Sequence, residues 1–160
     1  MGRGFPKTLE SGDKAPGVSL VDAGGVSHTL DSLLAAGPVL LAFYKVTCPT
    51  CQFTLPFLDR LSGGNVRVIP VSQDSPAATK RFAQEFGLSV PAMFDREEDG
   101  YRASNAFGIT IVPSLFLVEK DRRIAWGSVG FNRKELESLA GTTGKPIFYK
   151  GDMVPELKAG

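Results

Sequence analysis

The chain has 160 residues, 18 Lys and Arg against 17 Asp and Glu for a net charge of +1, and 42% hydrophobic residues. That is enough apolar material for one compact domain with an ordinary core, and it offers no basic face for nucleic acid and no acidic tail. No apolar run approaches the ~20 residues a membrane span needs, and two cysteines are too few for a structural disulfide framework, which fits a reducing compartment.

Residues 1–14 read as a flexible or loosely docked leader. Met1 to Ala15 is polar and lacks the apolar core of a signal peptide. A cytoplasmic protein is therefore expected, or an exported one if a leader has been removed. Gly12-Asp13-Lys14-Ala15-Pro16 introduces the alternating pair Val18 and Leu20, and Gly24-Gly25 signals a turn into a second short strand over Val26 to His28. Thr29 is a helix cap, and Gly37-Pro38 closes that helix after Ala36. Val39 to Tyr44 is a continuous apolar run suited to a strand buried on both faces. It runs into Cys48-Pro49-Thr50-Cys51, after which Phe53, Phe57, Leu58 and Leu61 recur at helical spacing.

Gly63-Gly64-Asn65 is a loop, and Val66 to Val71 is the next strand, ending at Ser72-Gln73-Asp74. Ser75 or Asp74 caps a helix with Pro76 in its first turn, Phe82 and Phe86 on its apolar face and Gly87 at its end. Strand, helix and strand in that order imply parallel pairing through a right-handed crossover. Ser89 to Asp95 is extended, and Gly100 to Phe107 reads as a helix. Leu115–Val118 and Ile124–Val129 form a hairpin, with a bulge or close packing expected at Gly127 and Gly130. Asn132 caps a last helix with Leu136, Leu139 and Ala140 inward. Gly141 to Gly160 is a tail whose Ile147-Phe148-Tyr149 triplet is expected to dock on the domain or on a twin subunit.

The two cysteines thus stand where a buried strand becomes a helix. The first amides of a helix have no intrahelical acceptor, and the aligned peptide dipoles add partial positive charge there. Both favour a thiolate at Cys48. Cys51 lies one turn on, in reach of a mixed disulfide formed at Cys48, and Pro49 suits the first turn because its missing N–H is not needed. A zinc site would need two further ligands, and the chain has one histidine, His28, and no other cysteine.

This corner resembles the thioredoxin-fold disulfide oxidoreductases. Pro113, in Ile111-Val112-Pro113-Ser114-Leu115-Phe116-Leu117-Val118, matches the proline that faces the cysteines in cis in that superfamily, and Pro56 matches its helix-kinking proline. The Gly-Asp-Lys-Ala-Pro entry, hairpin and short helix resemble the front end shared by TlpA/ResA-like proteins and AhpC/TSA peroxiredoxins. The resemblance covers roughly residues 12 to 140. It implies an α/β, thioredoxin-like fold over residues 1–160: a central mixed β-sheet flanked by helices, with an N-terminal β-hairpin extension and an inserted helix.

It also implies a thiol–disulfide oxidoreductase without cofactor or metal. Cys48 would attack and Cys51 resolve, with Pro49, Thr50, Thr54, Tyr44, Val112 and Pro113 in support, and the backbone at Val112 would bind substrate as an added strand. The partners would be a protein or small-molecule disulfide and an upstream thiol reductant, with no nucleic acid or membrane span, and the protein a monomer or weak dimer. A peroxidase of the AhpC/TSA type is the alternative. Its Pro-x-x-x-Thr/Ser-x-x-Cys pattern fits neither register: Tyr44 and Cys48 precede Cys51 by seven and three, and Leu41 and Lys45 precede Cys48 likewise. An iron–sulfur or metal carrier using both thiols is a third reading, which the facing proline would crowd. The family acids that would deprotonate Cys51 are missing, since Ala42 and Thr54 stand at their positions. A water held by Thr54 or reached past Lys45 is the expected proton carrier.

Overall fold

A computed structural model describes residues 7–160. β1 (Ser19–Val21) and β2 (Ser27–Thr29) form a hairpin. Its turn is held by Asp22, whose Oδ1 accepts from the amides of Gly24 and Val26. Asp22 Oδ2 lies 2.7 Å from His28 Nε2, which holds the carboxyl below its ordinary range. The one histidine is thus spent on a turn. Thr29 then caps α1 (Leu30–Leu34), its side chain accepting from the Ser32 amide.

β3 (Val39–Tyr44) is followed by α2 (Pro49–Asp59), β4 (Arg67–Ser72) and α3 (Pro76–Phe86). Then come β5 (Met93–Phe94), a 3₁₀ turn at Glu97–Asp99, α4 (Arg102–Ala106) and the hairpin β6 (Ser114–Val118) and β7 (Ile124–Val129). β8 (Phe131–Asn132), α5 (Arg133–Thr143) and β9 (Leu157–Lys158) complete the chain. Among the described residues seven strands make one mixed sheet in the order β2-β1-β5-β4-β3-β6-β7, with β3, β4 and β5 parallel and the other pairs antiparallel. This is the α/β, thioredoxin-like architecture, sheet in the middle and helices on both faces. No helix among the described residues is long and apolar enough to cross a membrane.

β3 sits in the middle of the sheet, which explains its unbroken apolar run. Val39, Leu41 and Phe43 point to one core with Leu30, Leu34, Phe107 and Phe116. Leu40, Ala42 and Tyr44 point to the other, with Leu55, Leu58, Phe82 and Leu136. Both faces of the strand are covered, so neither tolerates a polar residue.

Three features depart from the sequence reading, while the close packing expected at Gly130 is present. α5 continues through Gly141 to Thr143, three residues into the expected tail, and ends on Gly144, whose left-handed backbone at φ 76° caps it. The helix expected over Gly100–Phe107 is the shorter α4, which begins after Tyr101 at φ 49° and is preceded by the 3₁₀ turn Glu97–Asp99. The register shift in the β6–β7 hairpin falls at Ala125, not at Gly127, which pairs with Phe116. Gly130 has φ 71° and lies against the Lys158 carbonyl, where a Cβ would collide.

Residues 7–14 lie on the domain, while the rest of the expected leader falls outside the described residues. The Leu9 amide donates to Phe107 O, the Thr8 hydroxyl to Gly108 O, and Gly12 N and Asp13 O pair with Ile124.

Asp95, just after β5, is 3% exposed and holds α4 in place. Its carboxylate accepts from the amides of Ala103 and Ser104 and from the Ser104 hydroxyl. A buried donor left without a partner costs about 1–3 kcal/mol. Asp95→Ala is therefore expected to lower the unfolding free energy by about 3 kcal/mol in urea melts, and Ser104→Ala by about 1 kcal/mol. Equal midpoints for Asp95→Ala and the parent would contradict this account of α4.

Candidate active site

β3 delivers the chain to the C-terminal edge of the parallel strands, and the turn Lys45–Thr47 carries it into α2. Three hydrogen bonds fix that turn. Cys48 N donates to Lys45 O at 3.2 Å, Gln52 Nε2 to Val46 O at 2.9 Å, and Val46 N to Asp74 Oδ2 at 2.8 Å. Cys48 is the N-cap of α2, and its Sγ accepts from the Cys51 amide at 3.1 Å. Cys48 is half-buried and Cys51 fully buried. One thiol is reachable and held by a helix-terminal donor. The other is beneath it.

Burial pushes the Cys51 thiol well above the ordinary thiol range. The Cys48 side chain and the Asp74 charge push in the same direction, against a backbone hydrogen bond from Lys45. Burial also pushes the Tyr44 phenol up to about 12, with the Ser72 hydroxyl pulling it back. Tyr44 packs on Phe82 and is fully buried, a wall of the site.

Pro49 occupies the first turn of α2, where it is exposed, and Pro56 lies inside the same helix. The Val112–Pro113 bond is cis, Pro113 is buried and Val112 half-buried. Cys48 Sγ stands 3.5 Å from the Val112 carbonyl, which brings the two distant motifs together. Thr54 is fully buried, and its hydroxyl donates to the Thr50 carbonyl at 2.6 Å, so its hydrogen is used inside the helix. Thr50 is 7% exposed, and its hydroxyl donates to Ala159 O at 2.5 Å.

Two groups at this corner had no role in the sequence reading beyond a cap and a tail. Asp74 follows β4, and the parallel register pairs Tyr44 with Ser72, so the residues two beyond each strand meet as Val46 and Asp74. The signal was present in the strand alternation, which puts the ends of β3 and β4 side by side. Residues 157–160 are the other, and nothing local in the sequence points them at the cysteines. Among the described residues no cluster of three or more His, Cys, Asp or Glu side chains is placed to hold a metal ion.

The Redoxin family profile matches residues 10–142. The chain is similar to the thiol-disulfide oxidoreductase ResA of Geobacillus thermodenitrificans, 29% identical over 129 residues, which are 78% of this chain and 72% of that protein. Its fold is similar to the crystal structure of the thioredoxin domain of a thiol-disulfide oxidoreductase from Bacteroides vulgatus, with TM-score 0.71, 19% identity and coverage of 84% and 97% of the two chains. It is also similar to that of Peroxidoxin BcpB from Mycobacterium tuberculosis, with TM-score 0.68, 20% identity and coverage of 85% and 97%.

Proposed function

The chain belongs to the Redoxin family, as a TlpA/ResA-like member with the thioredoxin fold, and from that membership and the Cys48–Cys51 corner we propose a thiol–disulfide oxidoreductase that works through a mixed disulfide. The Cys48 thiolate attacks one sulfur of a substrate disulfide. That S–S bond breaks, a Cys48–substrate bond forms, and the other substrate sulfur leaves as a thiolate that takes a proton from solvent. Cys51, losing its proton, attacks Cys48 Sγ. The second substrate thiol is released and the Cys48–Cys51 disulfide forms, so two electrons have passed to the substrate. An upstream dithiol reductant returns them. The protein acts as a monomer or weak dimer, in a compartment reducing enough to supply that dithiol.

The observation that carries this reading is the Cys51 amide aimed at Cys48 Sγ at 3.1 Å, over a Cys51 thiol with no exposure. A donated hydrogen bond stabilises the charged form of the acceptor, and burial keeps Cys51 from competing for substrate. Reduction of insulin disulfides with a dithiol as electron source tests it. The peroxidase alternative predicts instead consumption of peroxide that outpaces disulfide reduction. Its support is the family profile and a likeness of fold, while the site lacks that pattern's Thr or Ser.

The proton lost by Cys51 goes, on this reading, to Asp74. Its carboxylate is fixed by the Val46 amide beside the same turn, and its charge acts on the Cys51 thiol. The Thr54 hydroxyl supports this less well, since it donates into α2.

Poise is the next expectation. Pro49 stands first in the dipeptide, so the Thr50 amide is free to donate toward the Cys48 sulfur beside that of Cys51, which already does, and such donors favour the reduced pair. A potential of roughly −180 to −250 mV is expected from the reference proteins. Equilibration against glutathione checks it, and a value below thioredoxin's, about −270 mV, would count against the argument.

A further inference from the structure

The tail is built onto the domain from Lys145 onward. Ile147 is buried with Leu58 and Leu61, and Phe148 packs edge-on to Phe57 with ring centroids 5.1 Å apart. Arg60 pins the next turn. Its Nη1 donates to Ile147 O at 2.8 Å and to Asp152 Oδ2 at 2.7 Å, and its guanidinium lies 3.9 Å from the Tyr149 ring centroid. The Arg60 charge holds the Asp152 carboxyl below its ordinary range.

Past that anchor the chain turns toward the cysteines. Arg133 N donates to Glu156 O at 2.9 Å, and β9 pairs with β8, Leu157 opposite Asn132 and Lys158 opposite Phe131. Lys158 Nζ sits 5.3 Å over the Phe53 ring of α2. Ala159 O then accepts from Thr50, inside the Cys-Pro-Thr-Cys turn. Gly160 lies against Val112, so closely that a Cβ there would collide with the Val112 carbonyl and with Ile111 Cγ2. Residues 156–160 are exposed, while Thr50, which they contact, is buried. Four contacts, on α2, β8, Thr50 and Val112, thus bring an extended segment across the edge beside Cys48.

An extended chain that meets both Thr50 and the backbone at Val112 occupies the place where an added strand of substrate would lie. We propose that residues 156–160 are an internal strap over the polypeptide-binding edge of this site: a polypeptide disulfide enters only when the strap lifts, whereas a small disulfide reaches Cys48 with the strap in place. This rests on the reading of Cys48 as the attacking thiol. The half-burial of Cys48 leaves room for a small reagent. A glycine at position 160 fits against Val112 where any Cβ would force a shift. Tethering keeps the strap at a local concentration of order millimolar, so a weakly seated segment still competes with substrate. If about one chain in ten is open, the apparent affinity for a polypeptide falls about tenfold, because only the competent fraction binds.

The test uses the full chain and two variants of it. Gly160→Trp cannot seat against Val112, and Lys158→Pro removes a backbone amide from β9. kcat/KM is measured, with a dithiol as electron source, for bis(2-hydroxyethyl) disulfide and for a linear peptide joined through its cysteine to a chromogenic thiol. Both variants are expected to raise kcat/KM for the peptide about tenfold and to leave that for the small disulfide within about twofold. A peptide copying residues 156–160, added in trans, is expected to inhibit the variants competitively against the peptide substrate. Equal peptide kcat/KM in all three chains, with unchanged thermal midpoints, would overturn the strap. Failure of all three on the small disulfide would remove the oxidoreductase reading itself, and the strap with it.

Discussion

Cys51→Ser is expected to stop the protein as a stable mixed disulfide with its substrate, and Cys48→Ser to abolish reaction altogether. The asymmetry comes from the corner between β3 and α2. Cys48 Sγ is reachable, and it accepts the Cys51 amide at 3.1 Å, a contact that places a donor on the attacking sulfur. Cys51 has no exposed surface and a thiol pushed upward by burial. It can attack only a sulfur already delivered to Cys48. A serine at position 48 offers a hydroxyl that does not ionise near neutral pH, so the first S–S exchange has no nucleophile. A serine at position 51 leaves that exchange intact and removes the second. Mass spectrometry of each variant after mixing with a disulfide substrate reads the result directly, as one adduct for Cys51→Ser and none for Cys48→Ser. Faster alkylation of Cys51 than of Cys48 in the reduced parent would reverse the assignment.

What the sequence made legible was whatever is fixed by nearest neighbours along the chain. Thr29, Ser75 and Asn132 were readable as caps, and each accepts from the amide three residues on. A cap is a local bargain between one side chain and one turn, so no distant residue can overrule it. The apolar run at Val39–Tyr44 and the helical spacing after Cys51 were readable for the same reason. The meeting of Cys48 with Val112 was expected from a resemblance and not from spacing, since 64 residues separate them. Asp95 carries no local signal in the sequence, because its three partners belong to α4, which follows a tight turn with a left-handed Tyr101. The tail's apolar triplet Ile147-Phe148-Tyr149 predicts docking but not its path. Where it ends depends on Arg60, on β8 and on Gly130, whose missing side chain lets the Lys158 carbonyl approach. None of those carries a mark in the sequence that names its partner.

Asp74→Asn should slow the resolving step at pH 7 by about 10²-fold or more, the usual worth of general base catalysis. Asparagine keeps an oxygen for the Val46 amide, so the turn before Cys48 stays fixed while the charge and the basicity go. The two consequences have opposite signs. The Asp74 charge raises the Cys51 thiol, so removing it makes Cys51 easier to ionise and would speed resolution if electrostatics were its whole effect. Losing the group that takes the Cys51 proton slows resolution. Stopped-flow traces starting from a preformed Cys48 mixed disulfide therefore decide the role by the direction of change. A slower second phase in Asp74→Asn, with the rate now climbing about tenfold per pH unit as hydroxide takes over, identifies the proton acceptor. A second phase that is unchanged or faster, in a variant with the parent's thermal midpoint, makes Asp74 a structural clamp on the turn. Thr54→Glu supplies an independent arm, because position 54 lies one turn beyond Cys51 on the buried face of α2. Overpacking there costs about 1–3 kcal/mol and the buried carboxyl adds a desolvation cost, so the arm is read in a variant whose thermal midpoint shows it folded. If proton removal limits release, Thr54→Glu should recover part of the rate lost in Asp74→Asn while leaving the first attack by Cys48 unchanged, since that attack does not use the Cys51 proton.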